Sequence, residues 1–128
     1  MGKMIYDAIL GNDYNYTVSD GNFYVGDTKW HSDGYLKSKY VSFKMAFYLD
    51  PVTKDTGCLR VVPGSHIHTD GYAQAIHDVT PFSVTNHNEE VWGVHGRDVP
   101  GYPIESEPGD LLVFDQAIKH SSWGGGDR

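Results

Sequence analysis

Two segments that lie far apart in the chain carry side chains suited to holding a divalent metal ion. The first, Trp-His-Ser-Asp at 30–33, places an imidazole and a carboxylate two residues apart. Residues i and i+2 of an extended chain point the same way, so His31 and Asp33 can fill two neighbouring coordination positions. His120, which follows a turn and an apolar run, is the candidate third ligand. Two histidines and one carboxylate, with open positions opposite them, are the donor set of non-haem iron(II) oxygenases.

Each of these histidines also has a simpler interpretation. The Ser-Asp-Gly sequence at 32–34 indicates a turn, and a single histidine near a strand end is usually a surface or hydrogen-bonded residue. His66 and His68 form a rival pair at i and i+2, but no carboxylate stands beside them and they follow a Pro-Gly turn. They are interpreted as structural or surface residues. The remaining histidines lie in turn-rich polar sequence and are expected to be solvated: His77, His87 and His95.

The elements that must position these residues are predicted to be short strands. Turn sequences recur about every ten residues, and the runs between them are rich in Val, Tyr, Phe, Leu and Trp, which is typical of an all-β sandwich or barrel. The clearest strand is 40–49, where five apolar residues alternate with others: Val41, Phe43, Met45, Phe47 and Leu49. Further strands are expected at 22–25, 58–62, 91–94 and 111–114, and around Trp30 and His120. The first ten residues and 72–77 are candidate short helices.

The second face of the 40–49 strand carries Lys44 and Tyr48. In a barrel this face lines the interior, where Lys44 would meet an anionic ligand. The alternative is that it is the solvent-facing side of an antiparallel sheet, and the sequence leaves both open.

Composition bounds the function classes. The 128 residues fit one domain, 1–128, with 39% hydrophobic residues. The net charge is −7 and the basic residues are scattered, so nucleic-acid binding is not expected. No apolar run is long enough for a transmembrane helix, and no secretory signal is recognisable. Cys58 is the one cysteine, which excludes an intrachain disulfide and favours a reducing, cytoplasmic location.

Taken together, these motifs resemble the phytanoyl-CoA dioxygenase family of iron(II)- and 2-oxoglutarate-dependent oxygenases. The resemblance rests on four segments in order: WHSDG at 30–34, FYLDPVTKDTGCLRVVPGSH at 47–66, PGDLLVFDQAIKHSSWGGG at 108–126, and Arg128. It covers roughly residues 22–128. The fold that it implies is a double-stranded β-helix, an eight-stranded, cupin-like jelly-roll barrel.

The resemblance also implies the roles of individual residues. His31, Asp33 and His120 would be the iron ligands and the catalytic centre. Ser122 and Arg128 would bind the co-substrate 2-oxoglutarate, the arginine through its far carboxylate. Lys44 is a further candidate for binding this anion because of its place on the polar face of the 40–49 strand, not because of the resemblance. With O2 as second co-substrate, the reaction would hydroxylate an unactivated C–H bond of a small molecule. Halogenating relatives replace the carboxylate ligand, so Asp33 favours hydroxylation.

The length of the chain raises alternatives. Family members carry helices and strands before the WHxD segment and a strand after the arginine, whereas 29 residues precede Trp30 here. The chain is therefore interpreted as a compact catalytic core with an incomplete barrel, which predicts self-association or dependence on flanking sequence. The rival hypotheses are a catalytically inactive cupin-like binding or assembly subunit that needs a partner to complete the barrel, and a zinc hydrolase.

Overall fold

The computed structural model describes residues 2–21, 27–79, 90–91, 94–95 and 98–124; for residues 2, 77–79, 90–91 and 94–95 it describes the backbone alone. Two helices and eight strands follow one another along these residues. In chain order they are α1 (Gly2–Leu10), β1 (Thr28–His31), β2 (Phe43–Ala46), β3 (Leu59–Val61), α2 (Gly71–Val79), β4 (Glu90–Val91), β5 (Val94–His95), β6 (Tyr102–Ile104), β7 (Leu112–Asp115) and β8 (His120–Ser122).

All strand pairs among the described residues are antiparallel. The largest sheet has the order β1-β8-β3-β6, a second sheet pairs β2 with β7, and β4 pairs with β5. Strands distant in sequence are neighbours here: β1 and β8 lie at opposite ends of the chain. The mainly β architecture agrees with the turn rhythm of the sequence, and it brings the two candidate ligand segments together.

An apolar cluster joins the four-stranded sheet to the β2–β7 sheet. Leu59 and Val61 are buried with Ile118, and side chains from β6 and β7 pack against them: Ile104, Leu112 and Phe114. Since alternate residues of a strand share a face, this cluster defines the interior side of both sheets. We call it the interior cluster.

A second cluster covers the opposite face of the four-stranded sheet. Trp30 is almost completely buried there, against Val62 of the strand end, Ile76 of α2 and Val99, with Trp123 packed beside them. The two tryptophan rings meet edge to face, with centroids 5.5 Å apart. A Cβ on Gly101 would overlap the Trp30 ring, so glycine is needed at that position. The ring therefore fixes β1 from the side opposite to His31.

Arg60, the middle residue of β3, is buried on this same outer face. Its guanidinium donates hydrogen bonds to the carbonyl oxygens of Trp123, at 3.0 Å, and of Lys54, and lies 4.0 Å from the centroid of the Trp123 ring. A buried charge is tolerated when its donors are paired in this way. Arg60 thereby holds the chain immediately after β8 against β3.

Several predicted elements are confirmed with changed limits. The strands expected at 58–62 and 111–114 are β3 and β7, and the two candidate helices are α1 and α2. The 91–94 segment contributes to two strands, β4 and β5, rather than one. The strand expected at 22–25 lies outside the described residues. Within the described part of the chain, no helix is long and apolar enough to cross a membrane.

The prediction of one long strand over 40–49 was wrong in its length. Strand β2 runs only over Phe43–Ala46, because its partner β7 offers four residues for pairing, from Leu112 to Asp115. Its orientation answers the question that the sequence left open. Lys44 pairs in register with Phe114, a member of the interior cluster, so Lys44 faces inward and the apolar alternation faces outward.

The outward face of this segment is unusually apolar. Val41, Phe47 and Leu49 are 63%, 66% and 82% exposed. Full burial of one such side chain is worth about 1.5–3 kcal/mol, so covering the three would be strongly favourable. We expect the protein to self-associate as its concentration rises, which light scattering over a dilution series would detect.

The double substitution Phe47→Ser and Leu49→Ser should shift this association to higher concentration. Val18→Ser is the matched control, since Val18 is equally exposed, at 76%, but lies outside this face. A wild-type protein that stays monomeric at every concentration would contradict the expectation.

Candidate metal centre

The candidate centre forms where the end of β1 meets the start of β8. His31 and His120 are paired directly opposite each other, with ring centroids 4.3 Å apart. Asp33 follows two residues after His31. Its Oδ1 lies 3.7 Å from Nε2 of His31 and its Oδ2 lies 3.4 Å from Nε2 of His120. The three side chains that the sequence singled out therefore converge.

A shift in the β1–β8 register aims His31 into this centre. Thr28 is paired with Ser122 and His31 with His120, so three steps along β1 match two along β8. In a regular strand, residues three apart face opposite sides, whereas the extra residue of a bulge turns the later side chain back. The bulge lets Thr28 and His31 both face the interior side.

Both histidines are oriented by hydrogen bonds to their own strands. Nδ1 of His31 lies 2.6 Å from the carbonyl oxygen of Lys29, and Nδ1 of His120 lies 2.9 Å from that of Ile118. A carbonyl can only accept, so each Nδ1 carries the proton and donates it. Each Nε2 is left with its lone pair directed at the shared centre, which is how metal-ligating histidines are commonly held.

The donor set fits a first-row divalent ion. One ligand atom from each of His31, Asp33 and His120 lies within 4.8 Å of the other two. Two ligand atoms that are each ~2.1 Å from one ion lie ~3 Å apart in neighbouring positions and at most ~4.2 Å apart. The two separations between Nε2 and a carboxylate oxygen, 3.7 Å at His31 and 3.4 Å at His120, fall in this range. Two imidazoles and one carboxylate suit iron, zinc and related ions.

The protonation states also suit a metal ligand set. Burial, assisted by the neighbouring His31, lowers the pKa of His120 to about 4, so its imidazole is neutral at physiological pH. Burial alone would raise the pKa of Asp33. The hydrogen bond from Lys44 and the nearby His120 and His31 outweigh it, and the pKa is lowered. The site thus offers a neutral nitrogen from His120 and an ionised carboxylate from Asp33.

The loop that carries Asp33 is fixed by a close backbone approach. The Gly34 N–H donates to the carbonyl oxygen of Gln116 at 2.8 Å, and the Gln116 N–H donates to that of Ser42 at 3.0 Å. A Cβ on Gly34 would lie 3.1 Å from Cβ of Gln116. Glycine at 34 therefore lets the Asp33 loop reach the β7–β8 turn, a role that the turn sequence alone did not reveal.

A buried serine holds the other ligand segment. The Ser65 hydroxyl accepts a hydrogen bond at 2.8 Å from the N–H of Lys119, and the Val62 N–H donates at 2.8 Å to the carbonyl oxygen of Lys119. Ser65 is completely buried. The Pro-Gly-Ser turn thus clamps the residue before His120. The sequence at 63–65 indicates a turn, but it does not reveal this contact with a residue 54 positions away.

Two of the three residues predicted to bind the co-substrate, Ser122 and Lys44, lie among the described residues, and each has a polar partner. Ser122 lies on the same side of β8 as His120; its Oγ is 3.1 Å from Oγ1 of Thr28, and its N–H donates to that atom at 2.9 Å. Nζ of Lys44 lies 2.8 Å from Oδ2 of Asp33. Arg128 lies outside the described residues.

The remaining histidines do not join the cluster in the part of the chain that the structure describes. His66 is half-buried and His68 is exposed, and neither belongs to the three-residue ligand group. The side chains of His77 and His95, and the whole of His87, are outside the described set. The expectation that they are solvated stays a prediction.

Comparison with known proteins identifies the family. A family model described as "Phytanoyl-CoA dioxygenase (PhyH)" matches residues 5–124. The chain belongs to the phytanoyl-CoA dioxygenase family. The match ends before Arg128, so the role of that residue stays a prediction.

A solved structure, titled "Crystal Structure of EvdMO1", has a similar fold. The TM-score is 0.53 at 24% sequence identity, and the match covers 80% of this chain. It covers 20% of the EvdMO1 chain, so this member of the phytanoyl-CoA dioxygenase family spans about one fifth of that protein. No curated protein sequence matches the chain. The likeness confirms the expected jelly-roll fold.

Replacing Gly34 tests whether the close approach positions Asp33. Gly34→Ala should displace the Asp33 loop from Gln116 by a few tenths of an ångström and weaken metal binding by up to about tenfold, the lower end of the loss seen when support around a ligand is removed. Isothermal titration calorimetry with Co(II) would measure the metal affinity. Gly21→Ala is the control, since a Cβ at Gly21 meets nothing within 4 Å. Equal affinity in the two variants would contradict the assignment.

The low pKa of His120 predicts acid sensitivity of the metal-free protein. An unfolded histidine takes up its proton near pH ~6.5, but the folded His120 does so near pH 4. Protonation therefore favours the unfolded state as the pH falls between these values. Between pH 7 and pH 5, the free energy of unfolding should drop by about 2 kcal/mol through this residue.

Urea unfolding with chelator present would measure the pH effect. His120→Asn should remove most of this pH dependence, whereas His68→Asn, at an exposed histidine, should leave it unchanged. An unaltered pH dependence in His120→Asn would show that another group is responsible.

Proposed function

We propose that this chain binds Fe(II) through His31, Asp33 and His120 and acts as the catalytic core of a 2-oxoglutarate-dependent dioxygenase. Its reaction would hydroxylate an unactivated C–H bond of a small-molecule substrate. The observation that carries the proposal is that His31, Asp33 and His120 each bring one ligand atom within 4.8 Å of the other two. Membership of the phytanoyl-CoA dioxygenase family supports the same reaction class.

The protein residues divide the work of holding the ion and shaping its surroundings. The two histidines present lone pairs fixed by their Nδ1–H bonds, and Asp33 contributes the one negative charge. A bound iron would supply the O2 chemistry that couples decarboxylation of 2-oxoglutarate to hydroxylation. The side chains around it orient the reactants and exclude water.

Burial is uneven across the centre, and this indicates where ligands enter. The side chain of His120 is 5% exposed, and its ring meets the edge of Phe114 at a centroid distance of 5.3 Å. The side chains of His31 and Asp33 are 29% and 27% exposed. The interior cluster therefore closes the His120 side, and co-substrate and substrate would approach from the side of His31 and Asp33.

Binding of 2-oxoglutarate requires positive charge near the centre. Lys44 stands next to Asp33 and supplies one such charge, and Ser122 adds a hydroxyl on the same side of β8 as His120. Arg128 is proposed to hold the far carboxylate, for which a guanidinium is well suited. Hydroxylation rather than halogenation is proposed, since Asp33 fills the position that a halide ligand would need.

A second candidate function is a binding or assembly subunit that needs a partner to complete its barrel. The observation that favours it is the small size of the β2–β7 sheet, which has two strands among the described residues. A zinc hydrolase would use the same donor set. Turnover of 2-oxoglutarate with Fe(II) separates both alternatives from the oxygenase.

Removing the carboxylate ligand tests the proposal. Asp33→Ala should abolish Fe(II)-dependent conversion of 2-oxoglutarate to succinate, since one of three ligands is lost. In anaerobic titrations with Fe(II) and 2-oxoglutarate, the wild type should develop a metal-to-ligand charge-transfer band that this variant lacks. Asp13→Ala, at an exposed carboxylate in another region, should behave as wild type. Retained turnover in Asp33→Ala would show that the ligand assignment is wrong.

A further inference from the structure

A lysine from the second sheet reaches into the metal centre. Nζ of Lys44, on β2, lies 2.8 Å from Oδ2 of Asp33, the same oxygen that lies 3.4 Å from Nε2 of His120. Lys44 is paired with Phe114, whose ring contacts that of His120. The ammonium group is thus one carboxylate oxygen away from the position that a metal ion would take.

This ion pair differs from an ordinary surface pair in what it holds. Surface pairs between mobile side chains contribute little to stability. Here the Lys44 side chain is 45% exposed, whereas the carboxylate is about three-quarters buried and has one oxygen toward each histidine, with the ammonium on the His120 side. Lys44 therefore orients the Asp33 carboxylate. The ion pair also links the loop after β1 to the β2–β7 sheet.

The charges within the centre show a further consequence. Metal ligation needs both imidazoles neutral, and in that state the charges of Asp33 and Lys44 cancel, so the centre has no net charge before the ion is added. A divalent ion raises the charge to +2, whereas without Lys44 the loaded centre would carry +1. Coulomb repulsion at this short range opposes the cation, and the same surplus attracts an anionic ligand of the ion. A dianion restores neutrality.

We infer that Lys44 is a specificity-determining residue. Its positive charge lowers the affinity of the centre for the metal ion and raises the affinity of the metal-loaded centre for a dianionic co-substrate. The inference rests on the proposed function. Beyond that function, it states that the positive charge of Lys44 on β2, which is paired with the metal ligand Asp33, contributes to the selection of a dicarboxylate. It also makes the two binding events mutually supportive: the dianion should tighten metal binding, and the metal should tighten binding of the dianion.

Charge-altering variants test this inference without reliance on turnover. Lys44→Met removes the charge and keeps the length of the side chain, and Lys44→Arg keeps the charge. Lys3→Met is the matched control, since Lys3 forms a similar 2.7 Å ion pair with Asp7 in α1. Co(II) affinity of each protein, and 2-oxoglutarate affinity of each Co(II)-loaded protein, would be measured by calorimetry.

The expected result is a pair of opposite shifts. Lys44→Met should bind Co(II) about tenfold more tightly and 2-oxoglutarate about tenfold more weakly than wild type, the size expected for one charge at short range. Lys44→Arg should stay near wild type for both ligands, and Lys3→Met should match wild type.

Other outcomes separate the two hypotheses. If wild type binds Co(II) but Lys44→Met changes neither affinity, or weakens both, the inference is wrong and the proposed metal centre stands. If wild type and Lys3→Met bind no Co(II), the proposed function fails and this inference fails with it. Thermal unfolding of each variant without metal establishes that the compared proteins are folded.

Discussion

The antiparallel pairing of β1 with β8 is the contact on which the metal centre depends. It joins residues almost ninety positions apart and places His31 directly opposite His120. The bulge between Thr28 and His31 then decides which side His31 faces. On the far side of the sheet, Trp30 is packed against Val62, Ile76 and Val99. Burial of Trp30 on one face of β1 therefore fixes this strand, and the next residue, His31, faces the metal centre on the other side.

The sequence predicted which residues form the site better than it predicted the contacts that position them. His31 and Asp33 could be proposed because an i, i+2 pair of metal-binding types is visible in a short segment, and His120 followed from the donor set and the family resemblance. The supports could not be proposed in the same way. Gly34 and Ser65 act through contacts with Gln116 and Lys119, which are distant in sequence, and no local pattern encodes such contacts.

Strand limits were the weakest part of the sequence prediction, and the reason is physical. The alternation over 40–49 reports which side chains share a face, but a strand extends only as far as its partner does. Strand β7 supplies four paired residues, so the alternation continues beyond the ends of β2 without a ladder. The bulge in β1 was likewise invisible, because inserting one residue into a strand changes the side-chain direction without any required residue type.

The inward position of Lys44 and the outward direction of Phe43 and Met45 on β2 are two consequences of one constraint. Side chains alternate along a strand, so a strand that presents Lys44 to Asp33 must turn Phe43 and Met45 to the other side. Reversing β2 would bury its apolar residues in the interior and withdraw the ammonium from the carboxylate. The carboxylate would then lose its hydrogen-bonded cation in a largely buried site. The outward direction of Phe43 and Met45 is therefore a consequence of keeping the charged side chain of Lys44 at the metal centre.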